Sequence, residues 1–385
     1  MRITYVVHAR FPAEKAYGLQ IASVCSALAK NGHDVTIVAP FTKNYIHENV
    51  HEYYGLPGSV GFIRLNNFDA LGKRWIPGAF WMVITMYFYR RALKEFFKKH
   101  KSSAVYARSV HVLQSLLESG TPVILELHTL PKKPSARFRR MCDRCARIVC
   151  LTRPMRNELT GKFGVNPDSV IVEGDGVDFG AFQSVPPYKP FAGGHDFPKN
   201  KKIIGYIGSL VTRDDLEKGV IEFLGALKEL KNDGVFGWIV GGPESWKKKY
   251  EELAESIGLS RENVRFEGRV KIAEVPLCVS KCDVCVYPAP KSSHPYFQRD
   301  TSPLKLLEYL AAGKPVVCAD IPPVRDIVDE SIVVFCEPGN SKSLADAIRK
   351  VLSEDNSERI RLGREKARWY DWGARMERVI SGIKH

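Results

Sequence analysis

The chain has 385 residues, enough for two domains of ordinary size, and its 44% hydrophobic and 26% charged content excludes a disordered polymer. The N-terminal MRITYVVHARFP has too short an apolar run for a secretory leader, and the most apolar segment, residues 75–89, is short for a membrane span and contains a Pro-Gly. The net charge of +14 is unevenly shared, with 26 Lys and Arg against 14 Asp and Glu in residues 1–190 but 31 against 29 in the remainder. The basic half suits an anionic partner (lipid surface, nucleic acid or acidic substrate) or is simply a well-solvated surface.

From the N-terminus, ITYVV (3–7) reads as a strand followed by a loop reaching Gly18. A helix follows in GLQIASVCSALAKNGH, with Ile21, Val24, Cys25 and Leu28 at helical spacing and Gly32 as its stop, and DVTIVAP (34–40) is the next strand. Further strands are expected at 104–108, 122–128 and 147–152. Apolar runs alternating with helices indicate a doubly wound parallel sheet. The basic stretch YRRALKEFFKKHK (89–101) either lies on an anionic membrane or packs its apolar side on that sheet as the helix before strand 104–108. Nine cysteines include two groups of three, Cys142, Cys145, Cys150 and Cys278, Cys282, Cys285. Zinc normally takes four ligands in paired short spacings, so buried free thiols are the better reading and no metal is expected.

Residues 182–200 are rich in Pro and Gly and lack either periodicity, which makes them the linker. The alternation then restarts with KIIGYIGSL, GVIEFLGALKELKNDG and GWIVGGP, and VRFEGRV, CDVCVYP and PVVCAD supply further strands. The expected division is a first domain over 1–182 joined by a C-terminal helix at 369–385, a linker over 183–199, and a second domain over 200–368.

Within TSPLKLLEYLAAGKPVV (301–317), Ser302 is a natural N-cap and Pro303 suits the first helical position. The third helical position should then favour an acid, yet it carries Lys305. Lys305, Glu308 and Tyr309 form one polar stripe on an otherwise apolar helix. A phosphate bound at the helix start would remove the conflict, and Glu308 could accept hydrogen bonds from the paired hydroxyls of a ribose. Alternatively, Lys305 reaches water and pairs with Glu308. Glycine turns at successive strand ends, at Gly208, Gly241 and FEGRV (266–270), let backbone approach a ligand closely.

Taken together, SPLKLLEYLAAGKPVV, GYIGSL with EKG, VGGP, FEGRV and GDGVD (174–178) resemble the retaining glycosyltransferases of the GT-B fold, family 4 or group 1. The opening GLQIASVCSALAKNGHDVTIVAP resembles the same family, so the likeness covers nearly the whole chain. It implies two Rossmann-like doubly wound α/β domains facing a cleft, with a nucleotide-sugar donor held mainly by the second and an acceptor mainly by the first. By that resemblance Glu308 would hold the ribose and Lys218 would neutralise the diphosphate leaving group. The backbone of Ser302, Pro303, Leu304 and Lys305 would face the phosphates or donor sugar, Gly18 would let the first loop approach the donor, and Arg269 and Val270 would border the base. His128 matches a histidine near the donor sugar, with Glu126 on the same strand face to orient it, and His8 is a further candidate. No metal or separate cofactor is implied.

Three departures stand out. Ser209 occupies a position where the family often has Arg, and Arg213 in the insertion TRDDLE is the candidate substitute. Asp300 falls where the family places its first acid, one carbon shorter than the usual Glu. Gly18 is single where a pair is common, with Tyr17 beside it. The basic PKKPSARFRR (131–140) follows His128 directly and would border an anionic acceptor. The expected activity is therefore transfer of a hexose from a nucleotide-diphosphate donor, with retention, to a lipid-linked saccharide or polysaccharide precursor of the cell envelope. Nucleic acid is the less favoured partner. The expected location is the cytoplasm, with peripheral association at the inner face of the membrane. Alternatives are a non-catalytic GT-B nucleotide-sugar-binding or partner subunit, and a sugar-nucleotide epimerase.

Overall fold

The computed structural model describes residues 1–14, 16–71, 73, 75–184, 197–212 and 215–383. Two wholly parallel sheets organise these residues. The first contains β1 (Arg2–Val6), β2 (Asp34–Pro40), β3 (Gly61–Leu65), β4 (Ala104–Ala107), β5 (Val123–Leu127), β6 (Arg147–Cys150) and β7 (Val170–Val172), in the order β3-β2-β1-β4-β5-β6-β7. The second contains β8 (Lys202–Ile207), β9 (Val235–Val240), β10 (Val264–Glu267), β11 (Val284–Tyr287), β12 (Val316–Ala319) and β13 (Val334–Cys336), in the order β10-β9-β8-β11-β12-β13. Strand order reverses between β1 and β4 and again between β8 and β11, and in such sheets ligands bind beyond the carboxyl ends at the reversal.

The interior strands β4, β5, β9, β11 and β12 are buried along their whole length, which explains their apolar runs, interrupted by a charged residue only at Glu126 in β5. Three strands lie outside the sequence expectation: β3, β7 and β13. All are sheet edges of three to five residues; β3 and β7 are only partly buried, the run in β3 is broken by Arg64, and β7 is just Val-Ile-Val.

The chain divides into Met1–Asp175 with Trp372–His385, and Gly176–Asp371. The first crossing thus falls ahead of the Pro- and Gly-rich stretch, of which 185–196 lies outside the described residues. Residues 177–183 pack with the second unit because Val177 bridges to Asp371 and the Gln183 amide donates to the Ala311 carbonyl at 2.6 Å. The helix Trp372–Ile380 returns to the first unit, where Met376, Val379 and Ile380 share a core with Ile21, Val24 and Leu28 of the helix Ala16–Lys30.

All nine cysteines are buried free thiols. The segments 75–89 and 89–101 merge into one helix, Gly78–Lys99, which buries Met86, Tyr89, Leu93, Phe96 and Phe97. Its outer face runs from Phe80, Val83 and Tyr87 to Arg91, Lys94 and Lys98, all exposed. No helix among the described residues is long and apolar enough to cross a membrane.

Candidate active site

Beyond β8, β9 and β10 three turns are zipped together: Gly208 N–H donates to the Val240 carbonyl at 2.8 Å, Leu210 N–H to Gly242 at 3.1 Å, and Gly241 N–H to Glu267 at 3.1 Å. Gly241 has φ +151°, and a Cβ there would lie 1.9 Å from the Gly208 carbonyl oxygen, so glycine is required. The Arg269 stem lies against Gly242, where an added Cβ would meet Cγ at 2.8 Å, while Val270 is partly buried on the core. Gly208, Gly241, Arg269 and Val270 therefore gather at one end of the second sheet. Ser209 turns into its own loop, with its hydroxyl donating to the Val211 carbonyl at 2.5 Å and its carbonyl accepting from Tyr206 at 2.8 Å. Arg213 lies outside the described residues.

The helix Leu304–Ala311 begins later than its sequence suggests. Pro303, rather than Ser302, is the cap residue, and no side chain caps it. The Lys305 ammonium lies 3.7 Å from the ring centroid of Tyr206 on β8 and 5.2 Å from that of Tyr287 on β11, the two strands flanking the reversal. Lys218, just before the helix Val220–Glu229, has its ammonium 5.4 Å from the Tyr296 ring centroid. Neither lysine forms an ion pair among the described residues, so the Lys305–Glu308 pair of the alternative reading does not close. Tyr309 is a correction to the polar stripe. It is fully buried, and its hydroxyl accepts from Ile207 N–H at 2.9 Å and donates to the Ile207 carbonyl at 3.0 Å, pinning the helix to β8.

Burial, and then the charge of Lys218, hold the Lys305 ammonium well below its ordinary pKa despite the pull of Glu217 and Glu308. Burial pushes Glu308 up to about 7, with Lys305 opposing. Two amines crowded in one desolvated corner beside a buried acid of raised pKa are mutually unfavourable when charged, and an anion between them reverses that. Asp300 is differently placed. Arg299 grips its carboxylate in a fork, with Nε to Oδ1 at 2.5 Å and Nη2 to Oδ2 at 3.0 Å, a contact that a donor sugar would have to share.

In the first unit, Gly18 has an internal role that its sequence context did not reveal. A Cβ there would lie 2.2 Å from the Tyr54 hydroxyl oxygen, and that hydroxyl bridges Ala13 N–H and the Ala13 carbonyl at 2.7 Å each. His128 follows β5, and its Nε2 lies 2.6 Å from Glu126 Oε1, the orientation expected from the pleat. Glu126 is fully buried and also accepts from Gln20 Nε2 at 2.5 Å, from the Tyr106 hydroxyl in a short contact, and from Arg375 Nη2 at 2.8 Å. Burial pushes its carboxyl up, but Arg375 and then His128 outweigh that and hold it well below the usual range. Sequence reasoning missed Gln20, Tyr106 and Arg375. Their one signal is a polar group on the buried side of an otherwise apolar segment. Glu126, His128 and Asp175 place ligand atoms within 4.8 Å of one another, a metal-like group, but the Arg375 guanidinium already supplies the positive charge at that carboxylate.

His8 stands near His111, ring centroids 6.2 Å apart, and burial, His111 and Arg108 together lower its pKa to about 4. Lys132, Lys133, Arg139 and Arg140 are all exposed on the loop after β5 and the helix Ala136–Cys142. If this stretch borders an anionic acceptor, changing all four to Gln raises the acceptor KM at least tenfold while leaving the donor KM unchanged, as read by steady-state transfer at several salt concentrations.

Two family models match the chain, Glycosyltransferase Family 4 over residues 18–180 and Glycosyl transferases group 1 over residues 191–369. A putative teichuronic acid biosynthesis glycosyltransferase, TuaH, from Bacillus subtilis (strain 168) is 26% identical over 248 residues, 63% of this chain and 57% of that protein. The chain spans 46% to 65% of the length of the three curated relatives it matches. A glycosyltransferase from Rickettsia africae ESF-5 superposes with TM-score 0.74 at 16% identity, covering 99% of this chain and 98% of that one. Anabaena Alr3699/HepE in complex with UDP-glucose superposes with TM-score 0.65 at 15% identity, covering 99% and 98%. With both models matched in chain order on two parallel-sheet units, the protein belongs to the GT-B glycosyltransferases of group 1 and family 4.

Proposed function

We propose that this protein transfers a hexose from a nucleotide-diphosphate donor to a lipid-linked saccharide or polysaccharide precursor, with retention of anomeric configuration and without a metal ion. The observation that carries the donor reading is the Lys218, Lys305 and Glu308 corner at the β8–β11 reversal. A diphosphate there relieves the crowding of the two ammonium groups, and a ribose gives Glu308 donors that favour its ionised form. Two lysines also bring the positive charge that a divalent cation would otherwise supply to the leaving group. Retention rests on family membership, and the acceptor class on the teichuronic acid relative and the basic first unit.

The outer face of the helix Gly78–Lys99 supports a peripheral docking surface for anionic lipid. Val83 is 65% exposed, Tyr87 59% and Phe80 56%, three apolar residues at helical spacing, and Trp75, 74% exposed, lies just ahead of the helix. Basic residues follow on the same helix. Lys94 and Lys98 are held by Glu118 and Glu95, which leaves Arg91 and Lys99 to meet lipid phosphates. Changing Phe80, Val83 and Tyr87 together to Ser is expected to cut partition onto phosphatidylglycerol vesicles at least tenfold. Equal sedimentation of variant and wild type, or equal binding to phosphatidylcholine alone, would count against an anionic membrane partner.

The donor reading is tested by thermal melts with UDP, GDP, ADP and CMP and their sugar conjugates, in chelator. One base family should raise the melt, and transfer of its sugar should release the free nucleotide in step with acceptor consumed. A shift without turnover favours a silent nucleotide-binding subunit. Interconversion of the sugar nucleotide with no acceptor favours an epimerase.

A further inference from the structure

The carboxylate of Glu126 accepts four hydrogen bonds from four separate segments of the first unit, and it is the group that faces His128 Nε2. An ionised carboxylate can only accept, so Nε2 carries the proton and Nδ1 is the ring nitrogen turned away from the network. Ionisation of Glu126 secures that assignment, because a carboxyl protonated on Oε1 would donate to Nε2 and move the histidine proton to Nδ1. Arg375 is fully buried, and its guanidinium is fixed at several points: Nη2 to Glu126 at 2.8 Å and to the Glu173 carbonyl at 3.3 Å, with Nε to the Gly174 carbonyl. Gln20 adds a second constraint, since its amide oxygen accepts from Arg108 at 2.8 Å and its nitrogen must therefore donate to Glu126.

We propose that Arg375 is a positioning residue for sugar transfer: through Glu126 it fixes the tautomer and the ring orientation of His128, so that Nδ1 is the atom presented to substrate. The inference rests on the reading that His128 serves the transfer reaction. The guanidinium is the only arginine or lysine that touches this carboxylate among the described residues. Without it a fully buried carboxyl loses its charge partner and takes up a proton. Uptake on Oε1, the oxygen that His128 shares with Gln20, reverses the Glu126–His128 hydrogen bond, whereas uptake on Oε2, which Arg375 vacates, would leave Nε2–H donating, and the tautomer in the variant decides between them. A lysine would keep the charge but cannot hold the carboxylate and two carbonyls with one planar fork.

The test is nitrogen-15 NMR of the histidine rings, with His128 assigned by its loss in His128→Asn, alongside kinetics with the nucleotide sugar that raises the melt. Wild type should show the Nε2–H tautomer at His128. Arg375→Met should shift it to Nδ1–H and lower kcat at least tenfold with the donor KM within twofold. The double change Arg375→Met with Glu126→Gln removes both charges while leaving an amide oxygen to accept from Nε2–H. It should recover that tautomer and part of kcat, and it serves as the folded comparison if Arg375→Met alone does not fold. An Nε2–H tautomer retained in Arg375→Met, or an Nδ1–H tautomer in the double variant, would overturn the proposal. Undiminished turnover in His128→Asn would instead overturn the reading on which it rests.

Discussion

Lys218→Ala is expected to lower kcat for sugar transfer by about two to three orders of magnitude, the usual cost of removing one fixed charge aimed at a developing anion. As the bond from the anomeric carbon to the phosphate oxygen breaks, negative charge accumulates on the departing diphosphate. Lys218 precedes a helix whose cap residue, Gly219, is held so closely that a Cβ would lie 2.5 Å from the Pro288 carbonyl carbon. The lysine thus sits on a rigid corner, and its charge acts in the same desolvated region as that of Lys305. Its removal has two opposed effects. It weakens leaving-group stabilisation, and it relieves the repulsion that depresses Lys305. The second effect predicts an apo protein at least as stable as wild type, so lost turnover cannot be assigned to unfolding. Release of nucleotide, followed in single turnovers with saturating donor, separates the chemical step from binding. A kcat within threefold of wild type would rule Lys218 out of leaving-group stabilisation.

Glu308→Gln should stabilise the ligand-free protein at alkaline pH and sharply reduce its response to nucleotide. Burial raises Glu308 from an ordinary 4.5 to about 7 in the fold. A carboxyl whose pKa rises on folding binds its proton more tightly in the native state. It imposes no penalty below about 4.5, a growing one between 4.5 and 7, and the full one above, at most about 3 kcal/mol. The neutral amide avoids this, so the variant should melt several degrees above wild type at pH 8, with the gap closing as pH falls toward 5. Nucleotide at 100 times its dissociation constant should then raise wild type by about 2.7 kcal/mol and the variant by far less, since one amide oxygen replaces two carboxylate oxygens as acceptor. The order of the two melts at pH 8 narrows or inverts on adding ligand. Parallel melting curves across pH 5 to 8 would show that Glu308 does not titrate as its burial requires.

The Lys305 and Glu308 face stood out in the sequence because it breaks a local rule. A lysine in the first turn of an apolar helix conflicts with the helix dipole, and local conflict is where function shows in a sequence. Interior strands were legible from their apolar runs, whereas β3 and β7 were not, because Arg64 interrupts the first and the second is an edge strand of only three residues. Gly18 was assigned to ligand approach, yet its space is filled by Tyr54, a contact across 36 positions of chain that no local pattern encodes. Tyr309 was placed on the polar stripe because helical spacing puts it there, but its hydroxyl is spent on the β8 backbone. Glu126 and His128 could be paired by the two-residue period of a strand. Arg375, 249 positions from Glu126, could not.

That distance has a consequence for how the protein is made. The core around Ile21, Val24 and Leu28 is closed by Met376, Val379 and Ile380, which leave the ribosome about 200 residues after β7. At about 5–20 residues per second the first unit waits on the order of 10–40 s with that surface bare and with Glu126 lacking its guanidinium, while the second unit is translated in full. The later half of the gene product can therefore fold first. A fragment ending at Asp175 should stay unfinished and sticky in a cell, whereas one that splices residues 372–383 directly after Asp175 supplies the missing seal.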